Sequence, residues 1–343
     1  MKKLHPRIWI AAAVAIVLVL SSIAACTMSK QPLGPELEIT PPTTASVSPT
    51  AQETAEPAQA TAEPAQATAE PAQSPGICGQ QGSVIVLLLG ESLPEEQPVR
   101  GASAIRLVKV DYDARRVRVL ALPPYLWVPT PALAEAGSDA NALTLVYWDT
   151  LPLGTGSERA RMAQAPNVFA QTLADNFALV PDHYVTTDQG TFVDAIDALG
   201  GLPIDLPTDV DGAPSGFGYF QAGPQVMNGQ AVLDYVRIYP AAGDTSPIEW
   251  ARLERQRQVI YALGAQLTRP QTIVRLPSLI SQFYQDVVTD LSLNDAYALA
   301  CVLQAPDVSF EDLALAPDMV TVGADEMLAP KMEPVSYTHL TLP

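Results

Sequence analysis

One run of this sequence, EWARLERQRQ at positions 249–258, concentrates side chains able to hold an anion. Arg252, Arg255 and Gln256 stand at i, i+3 and i+4, so on a helix they share one face. Asp244, Ser246 and Pro247 precede them and are helix-start residues. Arginines near the start of a helix can grip phosphate oxygens through paired hydrogen bonds, helped by the helix dipole. The competing reading is a solvated face with Glu249 and Glu254 as salt partners, and spacing alone favours it.

Such a helix needs a body to hold it, and the surrounding pattern is α/β. The run SVIVLLLG (83–90) is continuously apolar and ends in glycine, which suits a central strand covered on both faces. Residues 104–111 and 116–122 follow as strands across a turn at 112–114, and Arg116 and Arg118 alternate there with Val117 and Val119. Helices are expected near 157–178 (broken at Pro166), 190–199, 229–236, 250–268 and 292–303, with short strands at 184–188 and 203–206. Gly200 and Gly201 read as a helix stop. Strands alternating with helices argue for a sheet with helices on its faces.

Several segments lead in order to the arginine run: DHYV (182–185), FVDAIDALGGLPIDLP (192–207) and NGQAVLDYVR (228–237), with TDLS (289–292) beyond it. Together they resemble the LytR-CpsA-Psr family, the cell-envelope-related transcriptional attenuator domain, over roughly residues 83–305. The resemblance implies a three-layer α/β/α sandwich around a central mixed sheet. It also implies an extracytoplasmic protein that moves glycopolymers from a polyprenyl-pyrophosphate carrier onto peptidoglycan.

Residue by residue, the resemblance places Arg100, Arg237, Arg252, Arg255 and Gln256 on the pyrophosphate. Tyr239 stands where the family has a second arginine, and Glu249 replaces its usual aspartate. The family's magnesium ion is in question, because Ala102 and Tyr125 occupy the positions of its acids and Pro124 that of a phosphate-gripping arginine. Two functions follow: a glycopolymer–peptidoglycan ligase, or a relative that binds a polyprenyl pyrophosphate or wall polymer without turnover. Carboxylates such as Glu91 or Asp111 converging with the arginines would favour the first. His183 and Asp197 read as structural groups.

Bulk properties narrow the classes further. Nineteen basic against 37 acidic side chains leave a net charge of −18, a poor match for nucleic acid. Lys2, Lys3 and Arg7 precede an apolar run at 8–25, which predicts export. The run ends in IAAC (23–26), so residues 1–26 read as a signal peptide with a lipobox and Cys26 as the lipidated residue, an uncleaved anchor being the alternative. Both put the domain outside the cytoplasm, on the bacterial cell membrane. Residues 27–76 read as a disordered linker, since TAEPAQ recurs at Thr54, Thr61 and Thr68 with a proline in every unit. The globular domain is expected over 80–334, and residues 335–343 read as a non-native tail. Cys78 and Cys301 either pair in an oxidising compartment or remain two buried thiols.

Overall fold

The computed structural model of the protein describes residues 30–40, 79–92, 101–138, 140–238, 248–283, 286–315, 320–322 and 332–334. The apolar leader with Cys26, the TAEPAQ repeats, Cys78, Arg100, Asp244, Ser246, Pro247 and the tail at 335–343 lie outside them. No helix among the described residues is long and apolar enough to cross a membrane.

Strands β1 (Ser83–Ser92), β2 (Gly101–Asp111) and β3 (Arg116–Leu122) form an antiparallel meander. They lead into α1 (Leu143–Thr150), α2 (Glu158–Phe177), β4 (His183–Thr187) and α3 (Gln189–Ala198). Next come β5 (Leu202–Leu206), β6 (Gly223–Met227), α4 (Gly229–Arg237) and α5 (Ile248–Leu267). Then follow β7 (Val288–Thr289), α6 (Leu293–Leu303) and β8 (Ser309–Ala314). Six strands make one mixed sheet in the order β7-β4-β1-β2-β3-β8, with β1/β4 and β3/β8 parallel.

The sheet is buried on both faces, which is why β1 and β2 carry long apolar runs rather than strict alternation. Leu87, Leu89, Ile105, Leu107 and Leu122 pack with Val146 and Tyr147 of α1 and Phe169 and Phe177 of α2. On the other face, Val110, Val117 and Val119 meet Ala298 and Val302 of α6. Helices α3, α4 and α5 join the β5–β6 hairpin in a separate core around Leu202, Ile204, Val232, Tyr235 and Val259. The expected sandwich around a central mixed sheet is the observed one.

Helix α2 differs from its expectation, running unbroken through Pro166. Proline removes the hydrogen bond to the carbonyl four residues back, here that of Met162. The Tyr147 hydroxyl lies 3.5 Å from that oxygen, and the Tyr184 hydroxyl is equally far from the Ala163 carbonyl.

A second difference concerns the linker. Residues 30–40 fall within its expected span, yet they lie on the domain. Leu37 and Ile39 pack against the main core, and the Glu38 and Thr40 amides donate to Asn167 Oδ1 (2.6 Å) and Gln171 Oε1 (2.8 Å) of α2. Gln171 Nε2 returns a bond to the Thr40 carbonyl at 3.1 Å, and the Leu33 amide faces the Leu291 carbonyl at 3.4 Å. This strap is extended backbone held by α2 and the edge beside β7.

Cys301, in α6, is disulfide-bonded. Cys78 and Cys26 both fall outside the described residues.

His183 opens β4, 3.4 Å from a carboxylate oxygen of the buried Asp290. Asp290 also accepts the Tyr184 amide at 2.9 Å, so it braces the β4–β7 edge. Contact with Asp290 raises the His183 pKa, burial opposes it, and the charges of Asp295 and Asp182 reinforce it. A histidine pKa raised by folding stabilises the native state fully below about pH 6.5 and ceases to as pH climbs through the folded value. Wild-type stability should therefore fall as pH rises above about 6.5. His183→Asn should flatten that slope in denaturant titrations, and an unchanged slope would remove His183 as its source.

Candidate functional site

The apolar core of α3, α4 and α5 stops short of the sheet and leaves a cavity of about 120 Å³, partly open to solvent. Its floor is Gly90 and Glu91 of β1 with Ser103, Ala104 and Arg106 of β2. Its walls carry Phe192, Leu233, Val236, Val259, Ile260 and Leu263. Room at the floor comes from small residues, since Gly90 and Ala104 are cross-strand partners. A Cβ added at Gly90 would sit 3.1 Å from the Ala104 Cβ.

Three arginines reach this cavity. Arg237 ends α4, Arg252 lies in the second turn of α5 at 2% exposure, and Arg106 rises from the middle of β2 at 3%. Burying guanidinium groups side by side is unfavourable unless negative charge accompanies them. The two carboxylates among the described lining residues, Glu91 and Asp188, have defined partners. Glu91, buried, accepts the Tyr147 hydroxyl at 2.5 Å, and burial followed by the Glu91 charge pushes the Tyr147 pKa up. Asp188 caps α3 by accepting the Thr191 amide (2.7 Å) and hydroxyl (3.2 Å).

The residues expected from sequence divide clearly. Arg237 and Arg252 line the cavity, and Gln256 lines it as a partner of Arg106, accepting from Nη2 at 2.7 Å. Arg255 does not line it. Its Nε and Nη2 donate to the carbonyls of Tyr235 (3.0 Å) and Ile238 (2.5 Å), and its guanidinium lies 6.0 Å from the Tyr235 ring. It caps the C-terminus of α4 and ties it to α5, because its position rotates it toward α4. Arg255→Ala should cost about 1.5–3 kcal/mol of stability, visible in thermal melts, while anion binding stays near wild type. Lost binding at unchanged stability would return Arg255 to the site. Arg100 is outside the described residues.

Other residues resolve likewise. Of the two acids offered for convergence, Glu91 reaches the cavity, whereas Asp111 accepts the Ala114 amide in the β2–β3 turn. Asp197 accepts the Gly229 amide at 2.7 Å and joins α3 to α4, the scaffold role expected of it. Gly200 and Gly201 have φ of 84° and 86° and stop α3. Sequence reasoning missed Arg106. Its signal was a charge at the centre of an otherwise apolar strand stretch.

A magnesium site of the usual kind does not fit the described donors. Ala102 is fully buried with the main core, and Tyr125 lies under the Arg252 guanidinium at 5.8 Å. Among the described residues no three His, Cys, Asp or Glu side chains are grouped to hold a metal ion. Magnesium asks for near-octahedral oxygen, usually with free carboxylate ligands.

A family model described as the LytR_cpsA_psr family matches residues 49–336. The polyisoprenyl-teichoic acid–peptidoglycan teichoic acid transferase TagV of Bacillus subtilis (strain 168) is 30% identical over 132 residues, 36% of this chain and 32% of the relative. Regulatory protein MsrR of Staphylococcus aureus (strain COL) is 23% identical over 205 residues, 58% and 53% of the two chains. The chain thus spans between a third and about half of these curated relatives. The crystal structure of B. subtilis TagV superposes with TM-score 0.57 at 18% identity, covering 74% of this chain and 92% of that one. TagT with bound octaprenyl pyrophosphate lipid gives 0.52 at 18% identity, covering 77% and 86%. At such identities these structures establish the fold.

Proposed function

The chain belongs to the LytR_cpsA_psr family, and on that premise we propose that it binds a polyprenyl-pyrophosphate-linked glycopolymer outside the cytoplasm and passes the glycan to peptidoglycan. The observation that carries this reading is one cavity combining three guanidinium groups with an apolar wall. A prenyl pyrophosphate presents those two chemistries, anion and hydrocarbon, in one ligand. TagT with bound octaprenyl pyrophosphate lipid and TagV named as a teichoic acid transferase support the substrate class. The basic, apolar leader ending at Cys26 supports a membrane-held, extracytoplasmic protein.

In transfer, an acceptor hydroxyl attacks the phosphorus that carries the glycan, and polyprenyl phosphate leaves. The arginines stabilise charge on the phosphates, and Glu91 is the cavity carboxylate placed to take the hydroxyl proton. A second reading, binding without turnover, is favoured by one observation: Ala102 and Tyr125 occupy the positions of the family's acids. Incubating the protein with a lipid-pyrophosphate glycan and peptidoglycan separates the two. Release of polyprenyl phosphate that Glu91→Gln abolishes supports transfer. Tight binding without release supports the second reading, and no binding removes both.

A further inference from the structure

Arg106 is an unusual residue for its place. Its cross-strand partners are Leu88 and Ala121, and it stands in the middle of the sheet at 3% exposure. Taking a guanidinium out of water costs several kcal/mol after relaxation, so the surroundings must hold it with well-placed acceptors. They do: Nη1 donates to the Ile105 carbonyl at 2.8 Å and Nη2 to Gln256 Oε1 at 2.7 Å. Gln256 is braced in turn, its Nε2 3.4 Å from the Ser103 carbonyl. The Arg106 charge also reaches Asp312 of β8, which lies outside the cavity lining and faces Arg257 at 3.8 Å.

Among the described lining residues, three guanidinium groups stand against two carboxylates, within a strongly acidic chain. The family pattern would supply that positive charge partly as a metal ion held by acids, and the described donors do not fit one. We propose that the Arg106 guanidinium, aimed by Gln256, supplies the charge in place of a divalent cation, so that the cavity binds a pyrophosphate anion without metal. This rests on the reading of the cavity as a prenyl-pyrophosphate site. It adds two assignments to that reading: a β2 arginine as an anion ligand, and Gln256 as the residue that positions it.

The test uses the full chain in detergent, titrated calorimetrically with geranylgeranyl pyrophosphate in EDTA and again in excess magnesium. Wild-type affinity is expected to agree within about twofold between the two buffers, because an arginine keeps its charge without metal. Arg106→Met keeps volume and removes charge, and should weaken binding on the order of tenfold in both buffers. Gln256→Ala leaves the charge but loosens its aim. A smaller loss in the same direction is expected, which keeps the test alive should Arg106→Met fail to fold. Binding by the wild type only with magnesium overturns the inference and leaves the site reading standing. Equal affinity of wild type and both variants in EDTA also overturns it, making Arg106 a scaffold charge for Asp312. Absence of binding in both buffers removes the site reading and this inference with it.

Discussion

Arg252→Met is expected to weaken prenyl pyrophosphate binding by roughly 10²–10³, the equivalent of two lost charge-assisted hydrogen bonds at about 1.5–2 kcal/mol each. The size follows from burial. Arg252 is 2% exposed, so a phosphate it meets is screened by protein rather than water, and the interaction is stronger than at a surface. Methionine keeps a similar volume beside Tyr125, while taking the guanidinium away from its buried surroundings lowers stability as well. Calorimetry and a thermal melt on the same sample read the two effects separately. Wild-type affinity in a folded Arg252→Met protein would exclude Arg252 from the ligand.

The second large effect lies away from the ligand. Gly229 begins α4, where a Cβ would stand 2.2 Å from the Val193 carbonyl oxygen of α3. Both sides of that contact are backbone, so Gly229→Ala must separate the helices rather than rotate a side chain. Overpacking of this kind costs about 3 kcal/mol. The consequence reaches the cavity, because Arg237 ends the same helix. Stability and prenyl pyrophosphate affinity should therefore fall together, although residue 229 touches no ligand. Chemical denaturation and calorimetry check the pair, and an unaffected affinity would show that Arg237 is held independently of the α3–α4 contact.

Sequence showed most of the scaffold because buried strands and capped helices announce themselves. The run at 83–90 and the alternation at 116–122 gave β1 and β3 within a residue or two. Helices α3, α4 and α6 fall where they were expected, at 190–199, 229–236 and 292–303, and the structure shows each begun by a side-chain cap from Asp188, Asn228 and Ser292. What stayed hidden lacked a period. Helix α1 is apolar on nearly every side, so no 3.6-residue stripe separates it from a strand. Strand β8 mixes Glu311 and Asp312 into a short edge and becomes a strand only by pairing with β3. At the site, Arg237, Arg252 and Gln256 were legible from an ordered set of motifs. Arg255 was not distinguishable from Arg252 there, because which of them faces the cavity depends on where α4 packs. Arg106 gave no motif signal, as its role depends on a helix about 150 residues further along the chain.

The strap changes what the TAEPAQ repeats can do. The chain is bonded to the domain at Thr40 and again at Gly82, so the sequence between them is tied at both ends rather than at one. Closure entropy depends only logarithmically on loop length, so a fourth seven-residue unit would cost a few tenths of a kcal/mol at most, on the order of thermal energy. Repeat number is then nearly free to drift without altering the fold.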